Sequence, residues 1–225
     1  MDFGLAFSYV FEDEDWLKKL ALASLLCLTG IGIIPVLGWG LEVIRRVIKE
    51  EPEPLPDWSE FGQYFVKGIL VVLVVFIYSL PIIVVGSCNA GAGTLLGNTG
   101  EDFATPAIWI LTMCLSCLYI IYGLGISLVV PAALGNYAAS GEFGSVFKLG
   151  KIFKIVKDNL GNYGLVFLGM LLSNIIAPLG TVACGIGLAV TTAYAILFNS
   201  HLIGQAYKVA APGGELPAEP IPEAS

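Results

Sequence analysis

Positive charge is missing from most of this chain. Its 11 lysines and arginines gather at a few breaks between long apolar runs, and none lies within residues 68–87, 106–130, 161–178 or 181–200. Each of those runs is about 18–25 residues long. A helix rising about 1.5 Å per residue crosses about 30 Å of hydrocarbon in that length. Charged residues of both signs make up only 13% of the sequence, against roughly 25% in a soluble domain, while hydrophobic residues reach 56%. A soluble chain of 225 residues has no reason to repeat such a run four times. The pattern is that of a polytopic helical membrane protein.

Other absences narrow the chemistry. There is one histidine, His201, and no acidic residue shares its segment. Apart from one Cys-x-x-Cys pair, His, Cys, Asp and Glu do not recur at metal-ligand spacing, and no nucleophile and base lie together, so the expectation is no enzyme activity, metal or cofactor. The net charge of −7 leaves no basic surface to neutralise phosphates, which argues against nucleic acid. The N-terminus runs Met1-Asp2-Phe3 and meets the acidic stretch Glu12-Asp13-Glu14-Asp15 before any apolar run. That is the reverse of a basic leader, so no cleavable signal peptide is expected. Five cysteines are scattered, and Cys114-x-x-Cys117 has redox or metal spacing. It falls in mid-run without a nearby His or carboxylate, so both thiols read as packing residues. Gly91-Ala92-Gly93 has no Lys-Ser/Thr after it and is no phosphate loop.

What is present gives a topology. Phe3, Phe7, Val10 and Phe11 suggest a short helix in the membrane interface. Trp16 then opens an apolar stretch, residues 20–44, broken at Gly30-Ile31-Gly32-Ile33-Ile34-Pro35, so it forms either a kinked span or a short hairpin. With four alternating crossings, one full first span would leave Lys18 and Lys19 outside, whereas a hairpin puts all 11 basic residues inside. The positive-inside rule favours a re-entrant hairpin with both termini cytoplasmic, although each arm, at about 12 residues, is short for a crossing. Five full crossings with the N-terminus outside is the alternative.

Each inner loop suggests a surface helix. After the stiff Glu51-Pro52-Glu53-Pro54-Leu55-Pro56 connector, Asp57 and Glu60 have capping-box spacing, and Trp58, Phe61, Tyr64 and Phe65 form an aromatic face. In the second loop Val146, Leu149, Ile152, Phe153, Val156 and Leu160 share one side of a helical wheel. Lys148, Lys151, Lys154 and Lys157 fan over the other, as in a basic amphipathic helix on the inner leaflet. The two halves thus look like a weak repeat of span, surface helix and span.

The fold expected is all-α: four full transmembrane helices, an N-terminal re-entrant or kinked helical hairpin, and cytoplasmic interfacial amphipathic helices. Residues 1–208 form one membrane domain and residues 209–225 a disordered acidic, Pro/Ala-rich tail.

Several motifs carry a family resemblance. They are Asp15-Trp16-Leu17-Lys18-Lys19, then Gly40-Leu41-Glu42-Val43-Ile44-Arg45-Arg46, then Leu55-Pro56-Asp57-Trp58 with Phe61 and Lys67-Gly68. Pro131 through Tyr137 and the terminal Gly204-Gln205-Ala206-Tyr207 complete the set. Together they resemble the prokaryotic membrane family known as domain of unknown function 4013, over nearly the whole chain. The resemblance implies an archaeal or bacterial integral membrane protein, with no activity or catalytic residues attached. More distantly, the chain resembles the membrane portions of multi-span glycerophosphodiester phosphodiesterases, which are not the catalytic parts of those enzymes.

Two functions fit. One is a non-catalytic module at the inner leaflet of the cell membrane that organises anionic lipids, a protein partner or a second copy of itself. Its contacts would be Lys148, Lys151, Lys154, Lys157, Arg45, Arg46 and Trp58. The other is a transporter or channel for an uncharged small solute, with an irregular-backbone pocket at Gly30, Gly32 and Pro35. The absence of ionisable groups from the long runs favours the first.

Overall fold

The computed structural model describes residues 1–97, 104–183 and 186–211. Residues 98–103 and all of the expected tail beyond residue 211 lie outside them, while residues 209 and 210 end the last helix. Among the described residues there is no strand. The order is α1 (Phe3–Glu12), α2 (Trp16–Leu28), α3 (Ile33–Ile48), α4 (Phe61–Gly97), α5 (Ala104–Ser140), α6 (Leu149–Asp158), α7 (Leu160–Ile176) and α8 (Ile186–Ala210). Four segments, Trp58–Cys88, Trp109–Ser140, Leu160–Val182 and Ile186–Ala210, are long and apolar enough to cross a membrane. The protein is membrane-embedded. Large apolar side chains such as Trp109, Met113, Ile121 and Val182 face outward, as hydrocarbon solvent permits.

The broken N-terminal stretch is two helices, not one kinked span. Gly30 turns the chain with φ 73°, a conformation costly for other residues. Thr29 Oγ1 accepts from the Gly32 N–H (3.0 Å) and donates to the Leu26 carbonyl (2.8 Å), which closes the turn. Pro35 falls in the first turn of α3, where a missing N–H costs little. With 13 and 16 residues, α2 and α3 are about 20 and 24 Å long.

Burial is concentrated at one end of the bundle. Residues 131–139 of α5 are all buried, against the inner parts of α3 and α8. Glycine sets how closely α3 and α4 approach. A Cβ on Gly38 would collide with the Tyr64 carbonyl, and one on Gly68 with the Ile34 carbonyl. Backbone meets backbone there, the packing that small residues allow between membrane helices.

That contact brings Glu42 of α3 to Lys67 of α4, with Oε2 and Nζ 2.7 Å apart. Glu42 is 3% exposed and also accepts from Arg45 Nε (2.8 Å) and Arg45 Nη2. Burial alone would push its carboxyl up. Hydrogen bonds from Arg45 and Lys67 outweigh that and hold it below the usual range.

The inner connector is clipped rather than free. Trp39 Nε1 donates to the Pro56 carbonyl (2.9 Å), Trp58 Nε1 to the Lys19 carbonyl (3.1 Å) and Tyr64 OH to the Asp57 carbonyl (2.8 Å). Lys19 Nζ reaches Asp13 (2.7 Å), Asp57 (3.0 Å) and the Leu55 carbonyl (3.2 Å). Asp57 therefore makes an ion pair, and its side chain caps no helix N–H. The expected surface helix after it does not exist as a separate element. After one 3-10 turn, Trp58–Glu60, the chain enters α4 and runs without a break into the span, because nothing between Phe61 and Gly68 stops a helix. Its aromatic face divides accordingly: Tyr64 is buried and Trp58 stacks on Trp39 (4.7 Å), whereas Phe61 and Phe65 face outward. The expected repeat of two surface helices is lost with it. The Cys114 and Cys117 thiols are free and face outward from α5 instead of packing inside.

Two tests follow from the α3–α4 contact. Gly38→Ala should lower stability by ~3 kcal/mol, read as a lower Tm in detergent, because two backbones must part. Glu42→Gln should cost ~2 kcal/mol, less than the ~3–5 of a fully buried pair since its cations are partly exposed. Because the carboxyl is held below its usual value of 4.5, its stabilisation is complete above that pH and fades as pH falls through the lowered value. The wild-type Tm should therefore drop more steeply below pH ~4.5 than the variant's; parallel acid profiles would contradict this.

Candidate functional site

Two features at the buried end of the bundle carry chemistry beyond packing. The first is α6 and the cleft beside it. The segment before α6 is held in place by side chains from three helices. Tyr78 OH donates to the Val146 carbonyl (2.7 Å) and Asn136 Nδ2 to the Ser145 carbonyl (2.8 Å), while Tyr207 OH donates to Asn136 Oδ1 (2.8 Å). The chain then enters α6 with Ile152, Ile155 and Val156 buried against the bundle.

Lys148, Lys151, Lys154 and Lys157 are all exposed, as the helical wheel predicts. The apolar side of the wheel, however, is divided. Leu149 (48% exposed) and Phe153 (56%) turn outward with Phe147, and line a cleft of about 440 Å³ walled by α4 and α5. Ile77, Tyr78, Ile121, Gly125 and Val129 are among the residues of that wall. At 100° per residue Lys157 follows Phe153 one turn later on the same stripe, so the helix that lines the cleft also carries the lysines. Lys148 has a distant partner in Glu142 (3.9 Å); among the described residues Lys151, Lys154 and Lys157 form no ion pair.

The other predicted contacts lie elsewhere. Arg45 and Arg46 are half-buried against Glu42 and Glu51, and Trp58 belongs to the connector clip. Gly32 and Pro35 are buried and Gly30 is exposed in a tight turn, and none of the three lines either cavity described here.

The second feature is a cavity of about 240 Å³ between α1, the connector and α8. Tyr9, Glu12, Asp13, Glu53 and His201 supply its polar lining. His201 is 3% exposed and stacks on the Tyr9 ring at 4.3 Å, and Tyr9 OH donates to the Leu197 carbonyl (3.0 Å). Burial raises the Tyr9 phenol well above its usual range and keeps it neutral. Gln205 fixes the imidazole. Its Oε1 accepts from the Asp2 N–H (2.7 Å) and its Nε2 donates to the Asp2 carbonyl (3.0 Å), which sets the amide's orientation. The same Nε2 lies 3.0 Å from His201 Nδ1, which must then accept, leaving the proton on the imidazole Nε2.

Sequence spacing had no means of finding this cavity, because its parts lie up to 196 positions apart, from Leu5 to His201. The one available signal was the acidic run at Glu12 and Asp13, which hydropathy reads only as a helix end. Among the described residues no group of three His, Cys, Asp or Glu is placed to hold a metal ion.

The hydrogen-bond chain from Asp2 to His201 has a spectroscopic signature. Imidazole ¹⁵N shifts, which report a single histidine here, should show the Nε2-protonated form in the intact protein. Gln205→Leu should yield a mixture of tautomers. A dominant Nδ1-protonated form in the unsubstituted protein would contradict the chain.

No curated protein and no solved structure matches this chain. The distant likeness to phosphodiesterase membrane portions is not shown. A family model does match, over residues 21–186, which takes in most of α2, all of α3, the connector and α4 to α7. By that match the chain belongs to the family described as Protein of unknown function (DUF4013).

Proposed function

We propose that the protein is a non-catalytic membrane module that retains anionic phospholipid at one leaflet, with an acyl chain in the α4–α5 cleft and the headgroup at the lysines of α6. The observation that carries this is an apolar cleft lined by Leu149 and Phe153 of α6, the same helix whose Lys151, Lys154 and Lys157 form no ion pair among the described residues. Lipid tails are as apolar as the cleft wall, so in a bilayer the cleft alone confers no preference for one lipid over another. Selectivity has to come from charge. Each lysine near an anionic surface contributes about 1 kcal/mol, so each neutralisation should weaken retention roughly fivefold. The positive-inside rule assigns this end, and with it both termini, to the cytoplasm. The short arms of α2 and α3 fit a hairpin that dips into the same leaflet without crossing.

The solute-transport reading has less support, since its expected pocket is occupied by the Thr29–Gly32 turn.

Extraction into native lipid nanodiscs with mass spectrometry of the retained lipids tests the proposal. The unsubstituted protein should enrich anionic phospholipid over bulk. Joint Lys148→Gln, Lys151→Gln, Lys154→Gln and Lys157→Gln should lower that enrichment by up to several hundredfold if the four contributions of about 1 kcal/mol add. Gly125→Trp should reduce the amount of lipid retained, since a side chain at Gly125 meets open space and fills the cleft without a backbone collision. Equal anionic enrichment in the lysine variant would overturn the proposal.

A further inference from the structure

The cavity under α1 presents two kinds of recognition at once. Glu12 and Glu53 are exposed at its mouth and, among the described residues, neither forms an ion pair. Glu12 Oε1 accepts only from Ser8 Oγ (3.1 Å). Asp13, by contrast, is held by Lys19. The mouth therefore carries two carboxylates without an ion-pair partner among the described residues, with one cation nearby, Arg46, whose Nη1 donates to the Glu53 backbone carbonyl (3.0 Å). His201 is almost fully buried, yet among the described residues its Nε2 has no hydrogen-bond partner. The cavity is the open space that this side chain lines. With Nδ1 engaged by Gln205, the group offered there is an N–H donor, which selects a hydrogen-bond acceptor on the ligand rather than a cation.

We propose that this cavity binds a small amine bearing a hydroxyl or carbonyl oxygen, its ammonium between Glu12 and Glu53 and its oxygen on the His201 Nε2–H. The size agrees: about 240 Å³ lies below the ~300–1,000 Å³ of drug-sized sites, so the ligand is a few heavy atoms long. Leu5, Pro52, Pro54 and Leu55 supply the apolar remainder of the wall and limit water around the ion pair. A phosphate-bearing ligand is disfavoured by the same carboxylates, so this site is distinct in chemistry from the lysine-edged cleft.

The test uses the full chain in nanodiscs with ¹⁵N-labelled imidazole and ethanolamine as probe, with propylamine and ethylene glycol as partial mimics. Ethanolamine should shift the His201 Nε2–H resonance saturably in the millimolar range expected for so small a ligand. Propylamine lacks the acceptor and ethylene glycol the charge, so each should bind at least about tenfold more weakly, the worth of one lost polar contact. Glu12→Gln with Glu53→Gln should weaken ethanolamine by a similar factor; both side chains are exposed, so the fold is retained. No saturable shift up to about 50 mM, well beyond a millimolar Kd, would overturn the proposal. An ethanolamine shift unchanged by the double substitution, or matched by ethylene glycol, would also overturn it.

Discussion

Everything at the buried end of this bundle depends on α3 and α4 meeting backbone to backbone at Gly38 and Gly68. Only at that separation does Lys67 reach Glu42, and only with Lys67 and Arg45 in place is a carboxylate at 3% exposure tolerable. The connector then has a fixed length to cover between two closely spaced helices. It is pinned along that path by the Trp39 and Trp58 indoles, Lys19 and Tyr64. The same principle recurs at α8, where Gly204 lies against Val47 and the Ile44 carbonyl, and at α5, where Gly135 lies under the Tyr207 ring. In hydrocarbon there is no water to drive helices together, so close packing and buried polar contacts must do it.

This end-loaded architecture explains why the membrane-crossing helices are so little buried over much of their length. Their hydropathy is satisfied by lipid, while the specific contacts are confined to about one leaflet's depth. The α6 helix is fixed to the same end by Ile152, Ile155 and Val156 and by the hydrogen bonds around Asn136, Ser145 and Val146, so its lysines are held on a rigid element that also lines the cleft through Leu149 and Phe153. The cavity between α1, the connector and α8 is lined instead by carboxylates.

Much of the fold was legible in the sequence because membrane spans announce themselves by length and by the absence of charge. The break at residues 30–35 was legible too, since glycine tolerates the positive φ that Gly30 adopts and proline costs least in a helix's first turn, where Pro35 falls. The lysine face of α6 followed from its 3.6-residue period. What misled was aromatic spacing: Trp58, Phe61, Tyr64 and Phe65 suit an interfacial helix and the first turn of a span equally well. Only the partners of Trp58 and Tyr64, in α2, α3 and the connector, distinguish the two. The Leu55-Pro56-Asp57-Trp58 motif stood out in the sequence, but its reason, a clip built on backbone carbonyls, leaves no trace in hydropathy. Leu149 and Phe153 read as part of the apolar side of a surface helix, whereas the cleft they border is walled by α4 and α5 residues distant in sequence. The His201 cavity is assembled from three distant segments, and no local pattern encodes it.

Whether anionic phospholipid occupies the α4–α5 cleft beside α6 is decided by an experimental structure of the full chain in nanodiscs containing anionic lipid. An acyl chain should lie along Ile121, Gly125 and Val129, with its headgroup phosphate within ion-pair distance of Lys154 or Lys157. A cleft closed by Phe147 and Phe153, or filled by a helix of a second copy, would contradict it.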